Sequence, residues 1–390
     1  MIIAPKQFDG FNVTFNTGEY CNLACKYCYE VNTTPSRLPL EYAQRFIDLL
    51  LEDDDPAGLK GTKDEWIGQQ GLIMDFIGGD ALMFPDLVED ILLYFMKKSR
   101  KLNHRWADRW RASISTNGTL FEVPRVRRFV EKWNPVLSLG VSIDGTPEIH
   151  DKNRVYHDGR GSMSTIIKWW DWYRKLYPEA DTKSTLTRES IPYIYDSLRY
   201  MHEDLYLMYI NQNFAFEDQS LTPSDLETLD KQLSLCVDYV LEHRDDLYWS
   251  MIDRNLETSK SFKEHCEIDP GKSWCGSGAM PALGTNGKIY PCFRFLPHTQ
   301  ATNVDMSVGD IWSGFTKKKN FQTIRSLTRE VISPPQCREC QIESQCSWCI
   351  AGSYSEKGEP YRQTYICETQ MLRDKWAKEY WRRYSDLQRV

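Results

Sequence analysis

The sequence predicts an α/β fold in which about six β/α repeats form a parallel sheet, followed by a cysteine-rich segment. From residue 10 to about 215, short strand-like runs alternate with segments of helical periodicity. Right-handed crossovers would curl such a sheet into a TIM-like partial (β/α)6 barrel. From about residue 261 the chain is rich in cysteines and turns and lacks long periodic segments, so we expect this part to need metal to fold.

Each predicted strand ends near glycine or polar residues that favour a turn. The strands are predicted at 11–16, 71–77, 112–116, 137–143, 181–187 and 207–214. The helices between them are predicted at 41–51, 85–102, 124–133, 162–176 and 195–205, with amphipathic helices at 224–242 and 371–387. We therefore predict a barrel over residues 1–215, a helical bridge over 216–260 and a cysteine-rich domain over 261–390.

Composition excludes several classes of function. The net charge of −7 and the pI near 5.6 argue against a nucleic-acid partner, which needs a basic face. No apolar run approaches the roughly 18–20 residues of a membrane span, and the first residues lack a signal pattern. We therefore predict a cytoplasmic protein without a membrane partner. In that reducing compartment, the twelve cysteines are more often metal ligands or catalytic thiols than disulfides.

Cys21, Cys25 and Cys28 have the spacing C-x3-C-x2-C and directly follow the first predicted strand. Three thiolates on one short loop can hold three irons of a [4Fe–4S] cluster and leave the fourth iron without a protein ligand. Zinc sites more often combine a CxxC pair with a distant second pair. The motif resembles the radical S-adenosylmethionine (SAM) superfamily, where SAM binds the open iron. Tyr27 stands where that family has an aromatic residue.

Polar residues at the strand ends extend the resemblance. Gly78-Gly79-Asp80 resembles the Gly-Gly-Glu motif whose backbone meets the amino group of SAM, and Asp80 is shorter than the usual glutamate. Segments 115–118 and 142–145 resemble those that face SAM and its ribose. The implied SAM-binding residues are Tyr27, Gly78, Gly79, Asp80, Asn117, Ser142 and Asp144, with Ser184 as a further candidate. His150 and Arg154 are interpreted either as substrate-binding residues or as ordinary surface loop residues.

The late cysteines resemble the SPASM extension of radical SAM enzymes. They follow the patterns C-x11-G-x4-C and C-x2-C-x5-C-x2-C and then a final cysteine, departing from the family once, where it usually has x3 before Cys349. The resemblance implies two auxiliary [4Fe–4S] clusters, and two zinc sites are the alternative. The implied ligands are Cys266, Cys275, Cys292 and Cys349 for the first cluster, and Cys337, Cys340, Cys346 and Cys367 for the second. If Cys266 is not a ligand, the first cluster has an open iron for a substrate thiolate.

The resemblance also implies a reaction and its partners. A reduced N-terminal cluster cleaves SAM to a 5′-deoxyadenosyl radical, which takes hydrogen from a substrate carbon. SPASM members mostly modify peptides or proteins, so a peptide substrate is expected, with flavodoxin or ferredoxin as electron donor. Because only 20 residues precede Cys21, recognition of a leader peptide would need a separate protein or another surface. A metal-stabilised binding module without turnover is the alternative, and the SAM-like strand ends argue against it.

Two types of peptide-modifying enzyme compete. Sulfatase maturases oxidise Cys or Ser to formylglycine, and an Asp that acts as base follows their equivalent of Cys292. Here Phe293 holds that position, and a phenyl ring cannot take a proton. Residues 288–295 (KIYPCFRF) and the strand at 183–187 resemble instead the maturases of ribosomally made peptides. We predict formation of a thioether crosslink, with carbon–carbon crosslinking and formylglycine formation as alternatives.

Overall fold

The structure is a computed structural model that describes residues 10–62, 65, 71–215, 221–252, 275–343, 346 and 348–387. Its ten strands form one sheet in the order β10-β9-β8-β1-β2-β3-β4-β5-β6-β7. The strands are β1 (Gly10–Asn16), β2 (Gly71–Ile77), β3 (Trp110–Thr116), β4 (Leu137–Ser142), β5 (Asp181–Leu186), β6 (Tyr209–Phe214), β7 (Tyr248–Trp249), β8 (Ala282–Leu283), β9 (Lys288–Tyr290) and β10 (Gly309–Asp310).

Strands β1 to β7 run parallel, each hydrogen-bonded to the next along the chain. This arrangement confirms the mixed α/β class, and all six predicted strands are present. The sequence analysis missed β7, which lies inside the segment predicted to be a helical bridge. β8 pairs parallel with β1, and β9 and β10 continue the sheet antiparallel. The cysteine-rich part of the chain therefore shares a sheet with the repeats, while the division at residues 215 and 260 stays a prediction.

All predicted helical segments are present, although two are interrupted, and five further helices, at 147–153, 319–326, 329–332, 335–338 and 350–357, were not predicted. They are α1 (Leu40–Glu52), α2 (Pro85–Lys101), α3 (Pro124–Trp133), α4 (Pro147–Asn153), α5 (Met163–Ile167), α6 (Trp170–Leu176), α7 (Ile194–Arg199), α8 (Pro223–Glu242), α9 (Lys319–Ser326), α10 (Arg329–Ile332), α11 (Pro335–Arg338), α12 (Ile350–Lys357) and α13 (Cys367–Leu387). The helix predicted at 162–176 is two helices. The one predicted at 195–205 is α7 followed by a π-helical turn, Tyr200–Asp204. Among the described helices, none is both long and apolar enough to cross a bilayer.

The two faces of the sheet differ in polarity. Phe11, Val13 and Phe15 alternate along β1 and belong to the large apolar core that the helices cover. Residues paired in register share a face, so Thr14 lies beside Asp75 and Ser113 on the opposite face. The same face carries Ser142 and Lys183 farther along the sheet. One face therefore supplies the apolar burial that stabilises the fold, and the other presents polar side chains.

Candidate active site

The loop that carries Cys21, Cys25 and Cys28 lies between β1 and α1 and is held by the segment after α4. Ala24 N donates to Val155 O at 2.7 Å, and Lys26 N donates to Asn153 O at 3.0 Å. Leu23 and Tyr156 form an isolated antiparallel bridge beside them. These backbone contacts fix the positions of the cysteines relative to the carboxyl ends of the parallel strands. Ligands characteristically bind at this edge of α/β sheets.

The three thiols influence one another's protonation. Burial raises the pKa of Cys21 to about 12, and the charges of Asp80, Cys25 and Cys28 add to the effect. Burial likewise raises the pKa of Cys28 to about 11, with Glu30 adding to it. Burial also raises the pKa of Cys25. At neutral pH the metal-free loop therefore carries thiols, and a metal must displace their protons to bind.

The cysteine sulfurs are spaced too widely for a preformed site of a single zinc ion. A tetrahedral zinc with bonds of about 2.3 Å places its thiolates about 3.8 Å apart. Within the part of the chain that the structure describes, no three cysteine sulfurs lie within 4.8 Å of one another. The N-terminal loop offers three thiols whose charges influence one another, and this is the donor set of a [4Fe–4S] cluster with one open iron. The residues present are therefore chemically suited to that cluster, whose binding stays a prediction.

The glycine pair after β2 packs against the backbone that leads into Cys21. A Cβ on Gly78 would lie 2.0 Å from Gly18 O, and a Cβ on Gly79 would lie 2.2 Å from the carbonyl of Tyr20. Gly79 N also donates to Gly18 O at 3.0 Å. Both glycines are therefore required for a close approach between β2 and the cysteine loop. The sequence analysis predicted an approach to SAM, and that contact stays a prediction.

Asp80 is buried and joins the ends of β2 and β3. Its carboxylate accepts hydrogen bonds from Leu82 N at 2.9 Å, Asn117 N at 2.8 Å and Thr116 Oγ1 at 2.9 Å. Burial raises the pKa of Asp80, while these donors oppose the rise. Both carboxylate oxygens of Asp80 already accept hydrogen bonds from the protein. Asp80 therefore positions Asn117.

Asn117 connects β3 to the cysteine loop. Its Nδ2 donates to Asn22 Oδ1 at 2.9 Å and lies 3.7 Å from Cys21 Sγ. Its Oδ1 accepts from Thr119 N at 3.0 Å, and Asn22 Nδ2 donates to Thr119 Oγ1 at 2.8 Å. The sequence analysis singled out Asn117 but missed Asn22 and Thr119. Asn22 lies inside the cysteine motif, which was the one available signal for it.

Asp144, which lies just after β4, accepts hydrogen bonds from three separate segments of the chain. Its carboxylate accepts hydrogen bonds from the Tyr27 hydroxyl, from Arg154 Nε at 3.0 Å and from Thr185 N at 3.0 Å. The Arg154 guanidinium also lies 5.4 Å from the centre of the Tyr27 ring. Burial raises the pKa of Tyr27, so its hydroxyl keeps the proton that it donates. The structure thus brings Tyr27 and Asp144 together and adds Arg154 as a buried ion-pair partner.

His150 and Arg154 are both buried, so the surface-loop interpretation is wrong for them. His150 Nδ1 accepts from Asp144 N at 3.3 Å, and His150 Nε2 lies 3.0 Å from Ser162 Oγ. Ser162 Oγ in turn donates to Arg154 O at 2.7 Å. This chain of hydrogen bonds fixes the turn from which Arg154 reaches Asp144.

Ser142 and Ser184 lie on opposite faces of the sheet. Ser142 pairs in register with Lys183, so Lys183 shares its polar face and Ser184 points the other way. Ser184 Oγ accepts from Gln212 Nε2 at 3.0 Å on the helix-covered face. Ser184 therefore lies on the face away from Ser142 and Lys183, and its contact with SAM stays a prediction. Burial lowers the pKa of Lys183, and the nearby Arg154 charge adds to that effect.

Among the described late cysteines, Cys292 is influenced by Cys275 and Cys349, and Cys367 by Cys337, Cys340 and Cys346, whereas the binding of clusters by these two sets stays a prediction. Burial raises the pKa of Cys292 to about 12, with Cys275 and Cys349 adding to it. Burial raises the pKa of Cys367 to about 11, with Cys346, Cys337 and Cys340 adding to it. Cys266 lies outside the described residues. Cys236 is fully buried on α8, as expected for a core thiol.

The cysteine loop and the segment after Cys292 lie against each other. The Arg294 guanidinium lies 4.1 Å from the centre of the Tyr29 ring, and the rings of Tyr29 and Phe293 are 6.3 Å apart. Val31 N donates to His298 O at 2.9 Å. Ile77, at the end of β2, packs on the apolar cluster that contains Cys292. The first group of late cysteines therefore borders the same end of the sheet as the N-terminal cysteine loop.

Comparison with known proteins agrees with this geometry, although no protein-family model matches the chain. The chain is 28% identical over 347 residues to a cysteine-type anaerobic sulfatase-maturating enzyme of Clostridium novyi, covering 84% of this chain and 82% of that protein. It is 25% identical over 387 residues to the serine-type enzyme of Bacteroides thetaiotaomicron, covering 90% and 85%. These relatives are radical SAM maturases, which confirms that the chain resembles this family.

Solved structures share the fold of this chain. Native anSMEcpe with bound AdoMet superposes with a TM-score of 0.71 at 17% identity, covering 94% of this chain and 97% of that one. Streptococcus suis SuiB bound to precursor peptide SuiA superposes with a TM-score of 0.57 at 15% identity, covering 91% and 75%. The mixed α/β fold of the chain is therefore shared with both proteins.

Proposed function

We propose that this chain is a radical SAM enzyme that modifies a peptide, and that the product is a thioether between a cysteine sulfur and a carbon of the same peptide. The observation that carries the proposal is the position of the Cys21, Cys25 and Cys28 loop. It lies at the carboxyl end of a polar sheet face and directly beside the segment that follows Cys292. A peptide lying on that face would contact both the N-terminal cysteine loop and the segment that follows Cys292.

The cofactors follow from the cysteine groups. We infer that Cys21, Cys25 and Cys28 hold the cluster that binds SAM, and that the late cysteines hold two auxiliary [4Fe–4S] clusters in the sets given above, with Cys266 completing the first. When bound and reduced, the SAM-binding cluster would give one electron to SAM, whose C–S bond would break to release methionine and a 5′-deoxyadenosyl radical that abstracts hydrogen. Flavodoxin or ferredoxin is expected to supply the electron in the cytoplasm.

The chain's own residues position these groups. Asn117 and Asn22 support Cys21 from the end of β3, and Tyr27 is held by Asp144 from the end of β4. The buried Arg154 guanidinium balances the Asp144 charge. These contacts immobilise the loop before SAM arrives, so little ordering is left for the moment of reaction.

The position after Cys292 favours a thioether over formylglycine. Phe293 stands there, packed toward Tyr29, and its ring cannot accept a proton. The names of the relatives favour the second candidate, conversion of a cysteine or serine to formylglycine. The two outcomes differ in the fate of the sulfur. A thioether retains it and loses two hydrogens, whereas formylglycine exchanges the thiol sulfur for an aldehyde oxygen.

The experiment uses cluster-loaded enzyme, reductant, SAM and synthetic cysteine-containing peptides, including one with a sulfatase motif. Mass spectrometry reads the peptide, and chromatography reads 5′-deoxyadenosine. We expect a product that keeps its sulfur but no longer reacts with a thiol reagent.

Three variants test the cysteine assignments. Cys28→Ala should abolish production of 5′-deoxyadenosine. Cys340→Ala should produce 5′-deoxyadenosine without a peptide product, or its C-terminal region should unfold, and Cys236→Ala should behave as wild type. An aldehyde product would favour the maturase alternative, and full 5′-deoxyadenosine production by Cys28→Ala would refute the loop assignment.

A further inference from the structure

Three side chains of types that ligate metals converge in a part of the chain that contains none of the proposed cluster ligands. His202 lies on the π-helical turn Tyr200–Asp204, His243 directly follows α8, and Asp246 lies in the turn after it. One ligand atom from each lies within 4.8 Å of the others. We propose that His202, His243 and Asp246 bind a zinc ion that fastens the π-helical turn to the end of α8.

The distances suit an ion between the side chains better than direct contact. Asp246 presents one carboxylate oxygen to each ring, at 3.6 Å from His202 Nε2 and 3.7 Å from His243 Nδ1. Both separations exceed a hydrogen bond. Tetrahedral zinc with bonds of about 2.0–2.1 Å holds its ligand atoms about 3.3 Å apart. Small side-chain movements would therefore complete three bonds to one ion.

A hydrogen-bond chain behind His202 presents Nε2 as a ligand. The Tyr239 hydroxyl donates to Glu203 Oε1 at 3.0 Å, and Glu203 is a carboxylate also held by Arg199 at 2.8 Å. Because the hydroxyl has only one proton, it accepts the hydrogen bond from His202 Nδ1 at 2.7 Å. The neutral ring then turns the Nε2 lone pair toward the Asp246 carboxylate. Carboxylate-linked partners of this kind orient histidines that ligate metals.

The site is open on one side. The His202 side chain is 11% exposed, whereas that of Asp246 is 56% exposed. A cavity of about 280 Å³ adjoins Asp246 and is lined in part by Arg244, Tyr248 and Trp381. An ion held by two imidazoles and one carboxylate would keep a fourth position for water from this side. Such an ion stabilises the native state in proportion to its affinity and concentration.

The local connections show what the ion would stabilise. Leu247 N donates to His243 O at 2.8 Å, and Tyr248 N donates to Met208 O at 2.8 Å. The turn that carries Asp246 therefore leads directly into β7, which pairs with β6 at the edge of the sheet. Zinc at this position would fix the start of that edge strand. This inference is independent of the reaction proposed above.

The test measures zinc binding by the cluster-loaded protein, so that the cysteines are already occupied. After chelator treatment, equilibrium dialysis against micromolar zinc should show one more bound zinc in the wild type than in Asp246→Asn or His243→Gln. Asp245→Asn removes a neighbouring carboxylate outside the group and is the matched control, which should bind as the wild type does. Zinc-edge X-ray absorption should show nitrogen and oxygen ligands, including imidazole, without sulfur. Melting curves without zinc check that each variant folds.

The proposal is overturned if wild type and Asp246→Asn bind equal amounts of zinc, or if the bound zinc has sulfur ligands. The first result would mean that His202 and Asp246 form an ordinary ion pair. The second would place the ion on the cysteines. Zinc should also raise the melting temperature of the wild type and of Asp245→Asn but not of His243→Gln. An equal rise in all three would contradict the site.

Discussion

The Tyr27 hydroxyl donates a hydrogen bond to the Asp144 carboxylate. Because Tyr27 lies between Cys25 and Cys28, this bond ties the cysteine loop to the end of β4. Tyr27→Phe removes only that hydroxyl. A hydrogen bond to a charged group is worth about 1.5–3 kcal/mol, and we expect its loss to slow SAM cleavage about tenfold while iron content stays unchanged. Production of 5′-deoxyadenosine per cluster measures the effect.

Tyr206→Phe is the control for that prediction, because Tyr206 is 71% exposed. It should cleave SAM at the wild-type rate. If Tyr27→Phe also cleaved SAM at that rate, the contact with Asp144 would have no part in positioning the loop.

Gly79→Ala should disrupt the cysteine loop rather than the whole fold. The added methyl carbon would lie 2.2 Å from the Tyr20 carbonyl, and rigid backbone cannot move aside as a side chain can. Overpacking of this kind costs about 1–3 kcal/mol. We expect iron bound at the N-terminal loop to fall, as measured by metal analysis and by the loss of 5′-deoxyadenosine. Gly140→Ala, whose nearest neighbour is 3.4 Å away, should keep its iron. Equal iron content in both variants would show that the approach at Gly79 is not required.

Asp80→Asn should weaken both the fold and SAM binding. The amide keeps the volume of the carboxylate but turns an NH₂ group toward donors such as Asn117 N and Thr116 Oγ1. Leaving such buried groups without an acceptor costs about 1–3 kcal/mol. Denaturant unfolding should show this loss, and the KM for SAM should rise. Asp90→Asn, on the exposed face of α2, should change neither quantity. An unchanged KM for SAM in Asp80→Asn would show that Asp80 has only a structural role.

His150 predicts a loss of stability in acid. Burial lowers the pKa of His150 from 6.5 to about 4, because the buried ring accepts from Asp144 N and is held neutral. Between those pH values the unfolded chain binds the proton and the folded chain does not, so stability falls as pH falls from 6.5 toward 4. The total is on the order of 3 kcal/mol. Unfolding free energies measured across this range should fall more steeply for wild type than for His150→Gln. A slope in His150→Gln that matches the wild-type slope would contradict this account.

The sequence predicts the repeats well where local signals are strong. β2 and α3 have the predicted bounds, because glycine or proline begins each and the apolar pattern is regular between. The sheet beyond the repeats was not foreseen. β7, β8 and β10 have two residues each and carry no periodicity that a pattern can detect.

The site shows the same division between local and long-range information. The cysteine motif and the polar strand ends are local, and the sequence identified them. The contacts of Asp144 with Tyr27 and Arg154 depend on loops folding over one another, which spacing does not specify. Which face of β5 carries Ser184 also depends on register, because a shift of one residue exchanges the faces of a strand, and the register places Lys183 beside Ser142.

The pairing of β8 with β1 has a consequence for synthesis of the chain. Thr14 and Phe15 leave the ribosome long before Ala282 and Leu283, their neighbours in the sheet, are made. Throughout that interval the outer flank of the first strand presents unsatisfied amide and carbonyl groups, which readily recruit other nascent chains. We therefore expect correct assembly to be favoured when this flank is shielded until the final third of the polypeptide has emerged.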